Sequence, residues 1–190
     1  MSPPAESAPV YSAEDRALLL RTAHRAIAAA CAGSAALPLP EAGELSPALT
    51  ARRAAFTTLH LDGLLRGCVG YVLAAKPLIE TVAETAVSAA LHDPRFPAVT
   101  AAEAPRLKIE ISVLSPSQPI RPHEIVPGRH GLIVSMGTRR GLLLPQVAPE
   151  HGWDALTFLA QTCAKAGLPP DAWQQGATIE AFTAEVFAEE

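Results

Sequence analysis

The sequence predicts an α+β fold in which a mostly antiparallel sheet is flanked by helices. An Asp62-Gly63 pair stands between two apolar-rich runs, the signature of a two-residue β-hairpin. Three longer segments repeat their apolar residues at helical spacing. Paired and single strands are interleaved with only these few helices, the pattern of an α+β chain. With 190 residues and 49% hydrophobic content, the chain can bury a core without disulfide or metal staples.

The first ten residues, MSPPAESAPV, have no basic region and no apolar core, so they do not read as a signal peptide. Residues 1–11 are expected to be a disordered tail before a single domain over 12–190. YSAEDRALLLRTAHRAIAAAC predicts the first helix, with Ser12 as N-cap and Asp15 in a capping-box position. Leu20, Ala23, Ile27, Ala30 and Cys31 fall on its expected buried stripe. Residues 33–50, rich in Gly, Pro and Ala, predict a long loop.

AAFTTLHLDGLLRGCVGYV predicts the hairpin. With a plain two-residue turn, Cys68 faces Thr57 and Arg66 faces Leu59, unless a bulge at Gly67 breaks the register. KPLIETVAETAVSAALHD predicts the second helix, with Pro77 at its first position and Ile79, Val82, Ala86 and Ala90 buried. Pro94 and Pro97 stop it. TAAE at 100–103 is a capping box for one short turn, ended by Pro105.

RLKIEISVL predicts a strand with Ile109, Ile111 and Val113 on one side and Lys108, Glu110 and Ser112 on the other. GLIVSM and GLLLPQV predict two strands around GTRRG. WDALTFLAQTCAKAGLPP predicts the third helix, with Leu156, Leu159, Ala160 and Cys163 on one face and Gly167 just past the end. TIEAFTAEVF predicts one closing strand.

A net charge of −4 argues against a general nucleic-acid binder. No apolar run approaches the ~20 residues of a membrane span. The three cysteines, Cys31, Cys68 and Cys163, are too few and too scattered for a disulfide framework, which points to the reducing cytoplasm. Cys31 and Cys163 lie on apolar stripes and are expected to be buried and unpaired. No HExxH, CxxC, G-x-S-x-G or phosphate loop occurs, so no metal and no cofactor are expected.

The segment LLRGCVGY, residues 64–71, is the most specific feature. Two glycines weaken a strand and contribute no packing, so they need a reason. Strand alternation puts Arg66 and Cys68 on one face, with Cα atoms ~7 Å apart. A cation that close favours the nucleophilic thiolate. Gly67 and Gly70 would leave room for a ligand or a second backbone. The structural alternative is a bulge, a buried Cys68, and an Arg66 paired with a structural carboxylate.

LHDPRF adds Asp93, which can cap or pair, and Arg95, which can hold an anion bidentately. Glu110 is either surface or a cleft acid/base, and Gln146, after Pro145 at a strand end, offers hydrogen bonds. A thiol, two guanidiniums and two carboxylates together suit an unidentified anionic or polar small molecule.

LRGCVG resembles LRGCIG, the hallmark of the AMMECR family, with Val69 replacing Ile. SAALHDPRFPAVTAAEAPRLKIEISVL, GRHGLIV, GLLLPQVAPEHGWD and QTCAKAGLPPDAW also resemble family segments in the same order, over about residues 12–187. The likeness is to the stand-alone prokaryotic form found in the AmmeMemoRadiSam system. It implies a larger and a smaller lobe with LRGCVG near a cleft between them, and the company of Memo-type and radical-SAM proteins. Leu65, Arg66, Gly67, Cys68, Gly70, Asp93, Arg95, Phe96, Pro145 and Trp153 match its motifs.

Two readings follow. In a thiol-dependent enzyme, Cys68 is the nucleophile, Arg66 its activator or an anion clamp, and Glu110 a proton carrier. In a non-catalytic binding module, Arg66, Gly67, Gly70, Asp93, Arg95 and Gln146 contact a ligand or partner at the same place.

Overall fold

The structure is a computed structural model that describes residues 11–189. The expected tail therefore lies outside the described residues except for Tyr11, which is buried. In chain order the elements are α1 (Ala13–Cys31), α2 (Pro47–Thr50), β1 (Ala55–Leu61), β2 (Leu64–Tyr71), α3 (Leu78–Leu91), β3 (Lys108–Leu114), β4 (Gln118–Pro119), β5 (Gly131–Met136), β6 (Arg139–Leu143), α4 (Val147–Glu150), α5 (Ala155–Lys165), β7 (Thr178–Phe182) and β8 (Ala184–Ala188). The fold is α+β, and the strands form two four-stranded antiparallel sheets. Two compact units result: residues up to Val113 with those from Glu185 onward, and Leu114–Ala184. Among the described residues, no helix is long and apolar enough to cross a membrane.

In the first unit the sheet order is β2-β1-β3-β8. α1 starts at the expected capping box: the Ser12 hydroxyl accepts from the Asp15 N–H, and the Asp15 carboxylate from the Ser12 N–H. Its buried stripe is Leu19, Thr22, Ala23, Ala26 and Ile27, rotated from the expected one. Leu18, Leu19 and Leu20 are consecutive, so periodicity alone does not choose among them. The rotation leaves Cys31 half-buried rather than buried, its thiol donating to the Val99 carbonyl at 3.4 Å. The loop expected over 33–50 contains α2, whose Leu49 is fully buried.

The Asp62-Gly63 turn forms as expected, with φ of 52° and 81°. Positive φ at both central residues matches the strand twist of a hairpin. α3 buries Ile79, Val82, Ala86 and Ala90 as the periodicity indicates, with Pro77 at its N-cap rather than its first helical position. It packs on the sheet face that holds Ala55, Thr57, Leu59, Ile109 and Ile111, all buried. There the buried Thr57 and Thr85 hydroxyls share a 2.8 Å hydrogen bond.

The second unit has sheet order β4-β7-β5-β6, packed on α5. α5 buries Phe158, Leu159, Thr162 and Cys163, which turns Leu156 outward, contrary to the expected face. Burial pushes the Cys163 thiol pKa up. Gly167, at φ 71°, follows the helix C-cap as expected. β6 ends at Leu143, so Pro145 and Gln146 belong to the entry of α4 and not to a strand. The single closing strand is two: TIEAF joins this unit's sheet, and after Thr183 AEVFA joins the sheet of the first unit.

Candidate functional site

The site is built on a bulge. Leu61 pairs with Leu64 and His60 with Leu65, as a two-residue turn demands. The register then shifts: Leu59 pairs with Gly67 and Thr58 with Cys68, leaving Arg66 as the extra residue. A one-residue shift sends every following side chain to the opposite face. Without the bulge, Cys68 would face Thr57 under α3. With it, Cys68 shares the other face with Thr58, whose hydroxyl donates to the Cys68 sulfur at 3.3 Å. Phe56 and His60 lie on that face, as does Glu110, opposite Thr58 on β3.

The same shift turns Gly67 toward α3. A Cβ there would overlap the Ala89 carbonyl oxygen, far inside contact distance. At Gly70 a Cβ would overlap the Phe56 ring. The space expected for a ligand at Gly67 and Gly70 is thus filled by the protein, by a helix backbone in one case and a ring in the other.

β2 is an edge strand, and edges expose unpaired backbone groups. At Cys68 these groups are taken. Its N–H donates to Asp93 Oδ2 at 2.9 Å, and its carbonyl accepts from Arg95 Nη2 at 3.2 Å. Asp93, with 3% of its side chain exposed, also accepts from the Arg95 N–H, Nε and Nη2. The Arg95 guanidinium, seconded by the N–H donors of Cys68 and Arg95, holds the Asp93 carboxyl well below the usual range against the opposing effect of burial. The Arg95 pKa is raised in turn, chiefly by Asp93 and to a lesser extent by the Cys68 side chain. Arg95 still leaves 56% of its side chain exposed.

Arg66 does something else. Its Nε and Nη2 donate to the two Glu103 oxygens at 3.1 and 3.2 Å, its Nη1 to the Pro97 carbonyl at 2.7 Å and its Nη2 to the Ala98 carbonyl at 3.2 Å. Glu103 also accepts from the Thr100 N–H and hydroxyl, the expected capping box. The turn it caps runs into Ala104–Arg106, so Pro105 sits inside it rather than ending it. Arg66, then the Thr100 donors, pull the Glu103 pKa down to about 2. Arg66 is therefore a clamp on the loop after α3. The expected pairing of Arg66 with the thiol rested on strict alternation, which the bulge interrupts at that residue; the guanidinium beside Cys68 is that of Arg95.

Glu110 lies two strands from Cys68, about 10 Å away, and is half-buried. Gln146 is exposed and belongs to the second unit, whereas Cys68, Asp93 and Arg95 belong to the first. Sequence reasoning missed Thr58, which joins the site only through the bulged register, and Glu103, which read as a local cap because its partner lies 37 positions away. Among the described residues, no group of three or more His, Cys, Asp or Glu side chains could hold a metal ion.

Asp93 and Glu103 titrate lower in the folded chain than in the unfolded one. Their stabilisation is present in full above the unfolded values and is lost as pH falls through the folded ones. Thermal melts should show wild-type stability declining between about pH 4.5 and 2, and Glu103→Gln declining less steeply over that interval. Parallel profiles would count against the clamp.

The AMMECR1 family model matches residues 20–187. A protein of Methanothermobacter thermautotrophicus is 45% identical, with 96% of this chain and 98% of that one covered. Protein PF1979 of Pyrococcus furiosus is 42% identical over 90% of this chain and 87% of its own. The crystal structure of the uncharacterized protein PH0010 from Pyrococcus horikoshii has a similar fold, with a TM-score of 0.79, 41% identity and 90% of each chain covered.

Proposed function

This chain belongs to the AMMECR1 family, and on that premise we propose that it is a thiol-dependent enzyme, or enzyme component, acting on a polar or anionic small molecule at Cys68. One observation carries the reading: a half-exposed guanidinium, Arg95, is held on a buried carboxylate directly beside Cys68. Such an arginine is pre-oriented for an anion. Cys68 is the nucleophile, Arg95 holds the substrate's negative group, and Thr58 donates to the sulfur. Glu110 reaches the far end of a substrate lying across β1, but not the thiol itself. Cytoplasmic location and association with Memo-type and radical-SAM proteins belong to the same proposal, and co-purification with tagged partners would test the association.

Protein purified without reductant should carry a mapped adduct on Cys68 or a co-purified polar small molecule, seen by mass spectrometry. Cys68→Ser should remove the adduct, and Arg95→Gln should reduce it. A wild-type protein that carries neither, and whose Cys68 resists iodoacetamide, replaces this reading with the non-catalytic binding module.

A further inference from the structure

We propose that His60 is the base that takes the proton of the Cys68 thiol, an inference that rests on the thiol reading above. Thr58 lies directly opposite Cys68, and His60 is two residues further along β1 on the same face. That makes His60 the diagonal neighbour of Cys68, a relation in which Cα atoms stand ~7–8 Å apart and long side chains meet. Both side chains rise from the same face of the sheet, and an imidazole is long enough to lean across that gap to the thiol.

The bulge is what creates this relation. In an unbulged hairpin Cys68 would face Thr57 on the helix-covered side, and the strand would separate thiol from imidazole. The extra residue at Arg66 moves Cys68 to the side of His60 while leaving the pairing of His60 with Leu65 intact. His60 is half-buried, and among the described residues no hydrogen bond or ion pair occupies its ring. A half-buried ring with no structural partner, one diagonal step from a half-buried thiol, is arranged for exchange with that thiol.

The charged and titratable groups around His60 are few. On β3, Lys108 lies opposite it and Glu110 is its diagonal neighbour. On β2 there is Cys68, and at the turn Asp62 pairs with Arg106 at 2.6 Å. In the proposed step the Cys68 S–H bond breaks, its proton passes to a His60 ring nitrogen, and the sulfur keeps the electron pair. The thiolate is then held by the Thr58 hydroxyl and lies beside the Arg95 guanidinium. With iodoacetamide as probe, the thiolate forms an S–C bond and iodide leaves.

The test is the rate of Cys68 modification by iodoacetamide at pH 7, followed by peptide mapping in the full chain so that Cys31 and Cys163 are scored separately. His60→Gln should slow Cys68 by about tenfold, while Lys108→Gln should change it by no more than about twofold. His60→Asn serves as a second variant, and the thermal melt of each confirms that it is folded. If Cys68 reacts quickly in wild type and equally quickly in both folded His60 variants, the base assignment is overturned and the thiol reading stands. If Cys68 is inert already in wild type, the thiol reading falls and takes this inference with it.

Discussion

Gly67→Ala is expected to destabilise the protein by about 3 kcal/mol, the upper part of the range for overpacking a tight contact. For a chain of this length that corresponds to a fall of roughly 6–12 °C in Tm. The added methyl would meet the Ala89 carbonyl oxygen and carbon, which are backbone atoms of α3 and cannot rotate away. Relief requires shifting the helix off the sheet, where Ala89 and Ala90 are packed in the core. Gly70→Ala makes the informative comparison. The nearest atoms its methyl meets belong to the Phe56 ring, a side chain that can swing, so its cost should be smaller. Urea titrations of both variants would check this order, and a Gly67→Ala protein as stable as wild type would mean that β2 does not lie where the bulge places it.

Asp93→Ala should cost about 2–3 kcal/mol. The substitution strips the acceptor from the Cys68 N–H, the Arg95 N–H and the Arg95 guanidinium together. Removing one partner of a buried pair costs ~3–5 kcal/mol. Arg95 is half-exposed and can return to water, which lowers the figure toward that of an unsatisfied buried N–H. Asp93→Asn retains one carbonyl acceptor and should cost less. The local signature is faster hydrogen exchange at the Cys68 amide, because the edge of β2 loses its cover there. Unchanged exchange and unchanged stability would show that the carboxylate does not anchor the strand.

Much of the fold is legible from local rules. The Asp62-Gly63 turn, the Ser12–Asp15 box, the α3 stripe and the alternation of β3 each depend on residues a few positions apart. What was not legible depends on distant contacts. The bulge sits at Arg66 rather than Gly67, and Arg66 bonds Glu103 and carbonyls in the segment after α3, more than thirty positions away. The last segment, with apolar residues on both sides of Thr183, reads as one strand until two sheets claim its halves. Around Cys68, residue type and motif single out Asp93 and Arg95, which the hydrogen bonds bring against it. The roles of the two arginines depended on which face Arg66 and Cys68 occupy, and one inserted residue changed that.

The bulge turns the Cys68 thiol away from α3, toward the Thr58 hydroxyl and beside Arg95, and the proposed function requires that thiol to be reactive. Alkylation of the native protein by iodoacetamide at pH 7, with each cysteine mapped separately, tests it most directly. Cys68 should be modified first, ahead of Cys31, whose thiol pKa is raised chiefly by burial, and far ahead of Cys163, which has no exposed surface. A Cys68 that stays as inert as Cys163 until urea unfolds the chain would contradict the claim.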